Sequence, residues 1–505
     1  LNSFILLLNF MYEHDETIIY KLEKPYLWKD NKHLILTNDS IHQLNLVADK
    51  NLTIRHKNDS LLNILNKTST PMGKRYLRKQ LLNPLIDADE INKRYDLIGC
   101  LTENNKYKEY EDMLKYIPDI ERLHRKLCIK KIQPYEFVSL HLAYKKILSI
   151  TELCIRDNIH FFSEYTNVPK ELQDYMDEYS QYFDISQMGK TYCNLNITHC
   201  FFKEGIYSSI DEINEKLKDY NTFFDSIVTS FNNLCNYTDN NIIKKEHNEK
   251  DGIFFTTTKT RHKLINESLN KLKSKYNGNG TSEDNQSIIP VDIDKIKFKE
   301  MKSSVKIESP EIKNRSDMLF TYSEKLKAIQ NTYYIEKCSG LYEKYKNLYH
   351  KLVNIIQIID VAKSNSKCAI EYNYCRPIID NDDNGNDKLD GNGNSYCELK
   401  DLRHPIIERI TNVEYITNDV SIGKDDQVGI LLFGVNAVGK SSLMKSIGIA
   451  VLMAQAGMYV PCSQMIYRPY HYIFTRIFNN DNIFKGLSSF AVEMPELRNI
   501  LKRST

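Results

Sequence analysis

Residues 434–442 read GVNAVGKSS, and Gly434, Gly439, Lys440 and Ser441 stand at the spacing G-x-x-x-x-G-K-[ST]. Val435, Asn436, Ala437 and Val438 lie between the glycines, and Ser442 closes the motif. The spacing suits one chemistry. A loop between a strand and a helix can turn its backbone N–H groups inward around a phosphate, with glycines permitting the close approach and the left-handed turns. Lys440 then reaches the outer phosphates, the Ser441 hydroxyl holds the metal, and the helix N-terminus adds its positive dipole. The ligand expected of such a loop is ATP with Mg²⁺.

The elements that must hold this loop are legible on either side of it. QVGILLF (427–433) is an apolar run of strand length. SSLMKSIGIAVLMAQAG (441–457) is of helix length, rich in Ala, Met, Leu and Ile, and stops at Gly457. Strand, glycine loop and helix, in that order, form the expected setting.

The 505 residues should form several domains, because single cores rarely grow past about 250–300 residues. The net charge of +2 singles out no partner, so any nucleic-acid surface must be local. The 11 cysteines include no C-x-x-C pair and no Cys/His cluster, which fits a reduced intracellular protein and argues against zinc. FILLLNF (4–10) is too short to span a bilayer and reads as a buried strand or helix, so no membrane association is expected.

Along the chain, residues 58–101 carry apolar positions at three- and four-residue spacing and read as consecutive helices. Residues 323–362 read as one long helix. Cys338, Leu341, Tyr345, Leu348, Leu352, Ile355, Ile359 and Ala362 form a seam in steps of three and four. Between these helical stretches the texture changes. GIFFTTTKTRHK (252–263) reads as a solvent-facing strand or hairpin, KYNGNGTSEDNQS (275–287) as a loop, and KIKFKEMKSSVKI (295–307) as alternating strand. From Lys244 to Lys306 there are 14 Lys or Arg against 9 Asp or Glu, a local excess of +5 that suits contact with a phosphate backbone. DNDDNGNDKLDGNGNS (380–395) is a low-complexity linker. It imitates a calcium loop at Asp380, Asp382, Asn384 and Gly385 but has Gly391 where the bidentate Glu is needed, so calcium is not expected.

Beyond the glycine loop, MAQAGMYVPCS (453–463), IFTRIFNNDNIFKG (473–486) and LSSFAVEMPELRNIL (487–501) resemble the ATPase domain of the MutS mismatch-repair family. NKTSTPMGKRYLRKQLLNPL (66–85), IPDIERL (117–123), NYCRP (373–377) and RHPIIE (403–408) resemble further segments of that family in the same order. The branch most similar is that of giant viruses and octocoral mitochondria. The resemblance implies a multidomain protein: an all-α core and lever, a β-rich clamp insert, and a partial α/β P-loop ATPase of ABC type. Its parts would be a connector remnant at 1–30, helical core and lever at 31–224, clamp at 225–315, returning lever helix at 316–378, linker at 379–396 and ATPase at 397–505.

Carried over residue by residue, the resemblance makes Gly434 to Ser442 the Walker A loop, with Lys440 on the β- and γ-phosphates and Ser441 on Mg²⁺. It puts Tyr415 where an aromatic ring stacks on adenine, and Ser488 where a serine reaches the γ-phosphate held by a partner subunit, which implies a homodimer. In the clamp, Lys259, Arg261, Lys263, Lys297, Lys299 and Lys302 become candidates for the DNA backbone, on segments that read as strands. The implied function is ATP-dependent recognition of mismatched double-stranded DNA. A mismatch-independent clamp on DNA or junctions, and an ABC-type ATPase with no DNA, are the alternatives. The implied location is intracellular, whether a viral factory, host cytoplasm, nucleus or mitochondrion.

The sequence departs from the family pattern in places. Val435, Ala437 and Val438 stand where Pro, Met and Gly are common, Ser489 where Thr is usual, and Pro495 where Thr is common. The Walker B Asp-Glu pair, the mismatch-wedge domain and any C-terminal nuclease are expected outside residues 1–505. Nucleotide binding with little turnover is therefore expected of this chain.

Overall fold

The computed structural model describes residues 1–505 except 1, 23–24, 26–31, 49–57, 191–199, 238–240, 249–251, 277–288, 381–394, 412–413, 425–426, 437, 478–493, 495–496, 499 and 503–505. Most of the linker (380–395) and of the 275–287 loop lies outside the described residues. The chain is mostly helical and divides into two compact units. One comprises residues 69–72 and 109–358, and the other comprises 1–68, 73–108 and 359–505.

In the first of these units, helices Ile120–Cys128, Pro134–Arg156 and Val168–Tyr182 build an aromatic core of Phe137, Tyr144, Tyr175, Tyr179 and Phe183. Two of these buried tyrosines have a hydroxyl partner inside the core. The Tyr144 hydroxyl lies 2.8 Å from His124 Nε2, and that of Tyr179 lies 2.6 Å from His141 Nδ1. Burial holds both imidazoles neutral, pushing His124 down to about 3 and His141 to about 4.

The basic insert belongs to the same unit. Strands β1 (Lys244–Asn248), β2 (Gly252–Thr257), β3 (Lys297–Glu300) and β4 (Val305–Glu308) form an antiparallel sheet in the order β1-β2-β4-β3. Phe255 pairs with Lys245 on one side and Ile307 on the other. The sheet covers a core that includes Phe224, Ile227, Phe231, Phe255, Ile265 and Ile307. β2 is therefore mostly buried, unlike the solvent-facing strand expected from its threonines. Those threonines are satisfied inside: Thr257 Oγ1 donates to the Ile242 carbonyl and Thr256 Oγ1 to Glu246, both at 2.8 Å.

One helix, Pro310–Tyr372, runs 63 residues, about 95 Å at 1.5 Å per residue. It is longer at both ends than the stretch 323–362. Proline suits its first turn, and Ser309 caps it, accepting from the Glu311 N–H at 3.3 Å. The seam is buried at Cys338, Leu341, Leu348, Leu352, Ile355, Ile359 and Ala362, and half-buried at Tyr345.

Residues 359–372 of this helix belong to the other unit. There a mixed sheet forms from β5 (Ile378–Ile379), β6 (Cys397–Leu402), β7 (Asn418–Ile422) and β8 (Gln464–Tyr467), in the order β5-β8-β6-β7. The helix Lys440–Gln455 packs its buried residues Ile449, Leu452 and Met453 into the same core. At the N-terminus FILLLNF is helical, within Asn2–His14, but none of that helix is buried: Leu6 is 69% and Phe10 58% exposed. The short 3-10 helix Glu16–Lys21 beside it leaves most of its apolar side chains exposed, which departs from the burial its composition suggests. No helix among the described residues is long and apolar enough to cross a membrane.

Candidate nucleotide site

The glycine loop has the backbone its spacing predicts. Gly439 sits at φ +94°, left-handed, immediately before the helix Lys440–Gln455. A side chain at that φ would be strained, so glycine is required. The Lys440 ammonium folds back over the loop and donates to the carbonyls of Gly434 and Val435, both at 2.7 Å. This places the cation inside the loop's curve, where phosphate oxygens could replace the carbonyls as acceptors. Asn436, Val438 and Ser441 are exposed and Ser442 is half-buried.

The helix after the loop is anchored at its far end. Gly457, at φ +73°, ends it, with the Gly457 and Met458 N–H groups donating to Ala454 and Met453. A Cβ at Gly457 would come within 2.4 Å of the Arg94 side chain, which donates to the Ala456 carbonyl at 2.9 Å. Gln455 is wholly buried. Its amide donates to the Leu85 and Tyr470 carbonyls and accepts from the Tyr470 N–H, all at 2.8–2.9 Å. The P-loop helix is thus tied to the NPL segment at 83–85 and to the chain after β8.

The strand expected at 427–433 is not formed. After a turn at Gly423, closed by its N–H on the Gln427 carbonyl at 2.8 Å, the chain leaves the sheet beyond β7. Val428, Leu431 and Phe433 are 88–89% exposed. The physical reason is pairing: no strand among the described residues lies alongside to take up its N–H and C=O groups, and strand propensity alone does not hold an extended segment in place.

A cavity of about 780 Å³ opens beside the P-loop helix, lined among others by Asn45, Asn58, His404, Ser441, Ser442 and Lys445. Two features make it polar in a directed way. The His404 ring accepts the Ile406 and Ile407 N–H groups at Nδ1, at 3.2 and 3.3 Å, so Nε2 carries the ring proton. Burial, with nearby Lys445, holds His404 neutral, down to about 4. Burial also lowers Lys445, whose ammonium donates to Asn45 Oδ1 at 3.2 Å. The rest of the wall is largely apolar, from Ile406, Ile407 and Ile410, with Arg409 and the Asp59 carboxylate beside them, so a few polar groups stand on an apolar lining, as in small-molecule sites.

His404 lies beside Arg403, and Arg403 reaches the end of the long helix. Its guanidinium donates to the carbonyls of Tyr372 and Asn373, at 3.1 and 2.7 Å, capping the C-terminal dipole. It also pairs with Glu408 at 3.2 Å, while Arg409 stacks 3.9 Å over Tyr372. RHPIIE therefore joins the cavity wall to the root of the long helix. RHPIIE is legible in the sequence as a segment, but nothing local marks a role for its side chains or for Asn45, Lys445 and Gln455. These act through contacts with residues far away in sequence, so no local pattern marks them.

Of the other expected site residues, Tyr415 is half-buried in the irregular segment before β7 and does not line the cavity. Ala437 and Ser488 lie outside the described residues. Lys297 and Lys299 are exposed on β3, and Lys302 is exposed in the turn after it. Lys259, Arg261 and Lys263 are not on a strand. They occupy the start of the helix Lys259–Tyr276 because the Thr258 hydroxyl accepts the Arg261 N–H at 3.3 Å and caps a helix there. The Arg261 guanidinium is engaged, donating to the Tyr237 hydroxyl at 3.1 Å and the Asn241 carbonyl at 3.3 Å.

Comparison with known proteins places this geometry in context. A model of MutS domain III matches residues 39–366, and a model of MutS domain V matches residues 430–505. A DNA mismatch repair protein mutS homolog of Acanthamoeba polyphaga mimivirus is 35% identical, covering 99% of this chain and 47% of the relative. The mitochondrial DNA mismatch repair protein mutS homolog of Sarcophyton glaucum is 29% identical, with 99% and 48% covered. DNA mismatch repair protein MutS of Caldanaerobacter subterraneus is 28% identical, with 99% and 52% covered. The chain thus spans about half the length of the relatives it matches.

Proposed function

Because this chain belongs to the MutS family, we propose that it is the nucleotide-responsive, DNA-clamping part of a DNA mismatch repair protein. One observation supports this most: the cavity beside the glycine loop, which Ser441, Ser442 and Lys445 help to line, shares the RHPIIE segment with the cap of the long helix. Lys440 and the loop amides would hold the phosphates, Ser441 would hold Mg²⁺, and His404 and Lys445 would stand at the wall. The left-handed Gly439 and the inward Lys440 fit such a ligand. When bound, MgATP supplies a γ-phosphate whose presence or loss distinguishes two states of the loop. A shift of His404 on binding would be felt by Arg403, and so by the end of the helix that it caps.

In this reading the insert holds the DNA backbone through Lys259, Lys263, Lys297, Lys299 and Lys302, with mismatched duplex as substrate. Tyr415 faces the base, and Ser488 completes the site of a second subunit in a homodimer. At full length the protein would work inside a cell as a DNA-dependent ATPase, while residues 1–505 bind nucleotide with little turnover.

The test is nucleotide titration into the chain and its Lys440→Ala variant. Losing charge-assisted phosphate contacts should weaken binding by about 2–4 kcal/mol. Equal affinity would remove the P-loop from the account.

A further inference from the structure

Cys375 and Cys462 stand 87 residues apart in sequence, yet their sulfurs are 3.5 Å apart. Backbone pairing brings them together. The segment after the long helix meets the segment before β8 in an antiparallel bridge, with the Cys375 N–H on the Val460 carbonyl at 3.0 Å and the Val460 N–H on the Cys375 carbonyl at 2.9 Å. Cys462 lies two residues beyond that bridge and is 2% exposed, while Cys375 is only half-buried.

We infer that Cys375 and Cys462 form an oxidisable dithiol, a peroxide-sensitive pair that closes to a disulfide at the root of the long helix. The two thiols have different parts to play. Cys375 is the accessible sulfur. The Cys462 thiol beside it, with the Arg403 guanidinium nearby, favours the Cys375 thiolate, and the same contact raises Cys462. The thiolate attacks one oxygen of hydrogen peroxide. The O–O bond breaks, hydroxide leaves and takes up a proton as water, and Cys375 becomes a sulfenic acid. The Cys462 sulfur then attacks Cys375, expelling hydroxide, which leaves as the second water with the proton Cys462 gives up. In sum, two thiols and one peroxide yield one disulfide and two waters. The sulfurs must approach by about 1.5 Å to reach bonding distance, which side-chain rotation at a bridged backbone can supply.

The location gives the bond a consequence. Cys375 is three residues past the helix end at Tyr372, and Pro461, next to Cys462, accepts the Arg403 N–H at 2.9 Å. The disulfide would therefore staple the helix end to the segment on which the capping arginine is seated.

The experiment treats the full 505-residue chain with hydrogen peroxide, alkylates the remaining thiols, and maps the digest by mass spectrometry. A peptide joining Cys375 to Cys462, lost on reduction, is expected. Recovery of both cysteines singly alkylated, or of Cys375 joined to another cysteine, overturns the pair. In Cys462→Ser, Cys375 should stop at the sulfenic acid and be trapped by dimedone. Absence of that adduct overturns Cys375 as the attacked sulfur. The amides of residues 374–376, 378–379, 460 and 462–463 should exchange hydrogen more slowly in the oxidised chain than in the reduced one. Unchanged exchange with the cross-link present overturns the staple.

Discussion

Two apolar runs in this protein have the same look in sequence and opposite fates. GIFFTT (252–257) becomes β2, paired on both sides, with Phe255 wholly buried. GILLF (429–433) leads into the P-loop, belongs to no strand, and leaves Leu431 and Phe433 89% exposed. Composition does not separate them, because both are rich in the residues that favour strands. Neighbours do. β1 and β4 flank the first run, and a helical core lies beneath it. The second leaves the edge of its sheet after β7 with no partner strand among the described residues. A strand is a property of a pair, and only one of these segments has a mate.

The two runs should differ most at Phe255. Phe255→Ala should destabilise the insert by about 3–5 kcal/mol, read from denaturant unfolding with a probe in the insert. A loss near zero would show that β2 is not the buried strand described.

Acid should act next, on the unit that carries the P-loop. His404 is held neutral down to about 4, whereas an unperturbed histidine titrates near 6.5. As pH falls below 6.5 the unfolded chain takes up the proton first. Stability is therefore full above pH 6.5 and is lost as pH falls toward 4, by about 3 kcal/mol. His404→Gln should remove that part of the slope. An unchanged pH profile in the variant would mean that the ring is not buried neutral.

The exposed lysines of the insert give a smaller effect, seen only with DNA. Changing Lys297, Lys299 and Lys302 together to Gln should flatten the salt dependence of duplex binding by about 0.9 log unit per lost phosphate contact. Matched and mismatched duplexes should lose affinity alike, because backbone contacts position without reading sequence. A loss confined to mismatched DNA would assign these lysines a different role.

Phe433→Ala should do least. At an exposed position the change is expected to stay within about 0.5 kcal/mol, read from denaturant unfolding with a probe in the unit that carries the glycine loop. A cost approaching that of Phe255→Ala would show that further chain, or a second copy, covers this run in the working protein and completes its strand.

Much of this protein was legible in its residues. The left-handed turn of the glycine loop follows from spacing, because φ +94° at position 439 favours glycine, and the long cation at 440 folds back over the loop. The long helix follows from its seam, since steps of three and four put the buried side chains on one stripe. The alternating lysines of 295–307 mark the strands β3 and β4, though not the turn that pairs them as a hairpin. These are local readings, and local geometry suffices for them.

Tertiary structure decided the rest. Whether an apolar run pairs, as at 252–257, or hangs free, as at 427–433, depends on strands that arrive from elsewhere in the chain. The helix start at Lys259 overrode a strand-like stretch once Thr258 was placed to cap it. The cavity gathers Asn45, His404 and Lys445 from three distant stretches, and Gln455 finds its partners at Leu85 and Tyr470. Cys375 meets Cys462 only because two backbone segments pair. Periodicity encodes which face of an element is apolar, but not which other element will meet that face, and it is the meeting that buries a ring, satisfies an amide or brings two thiols together.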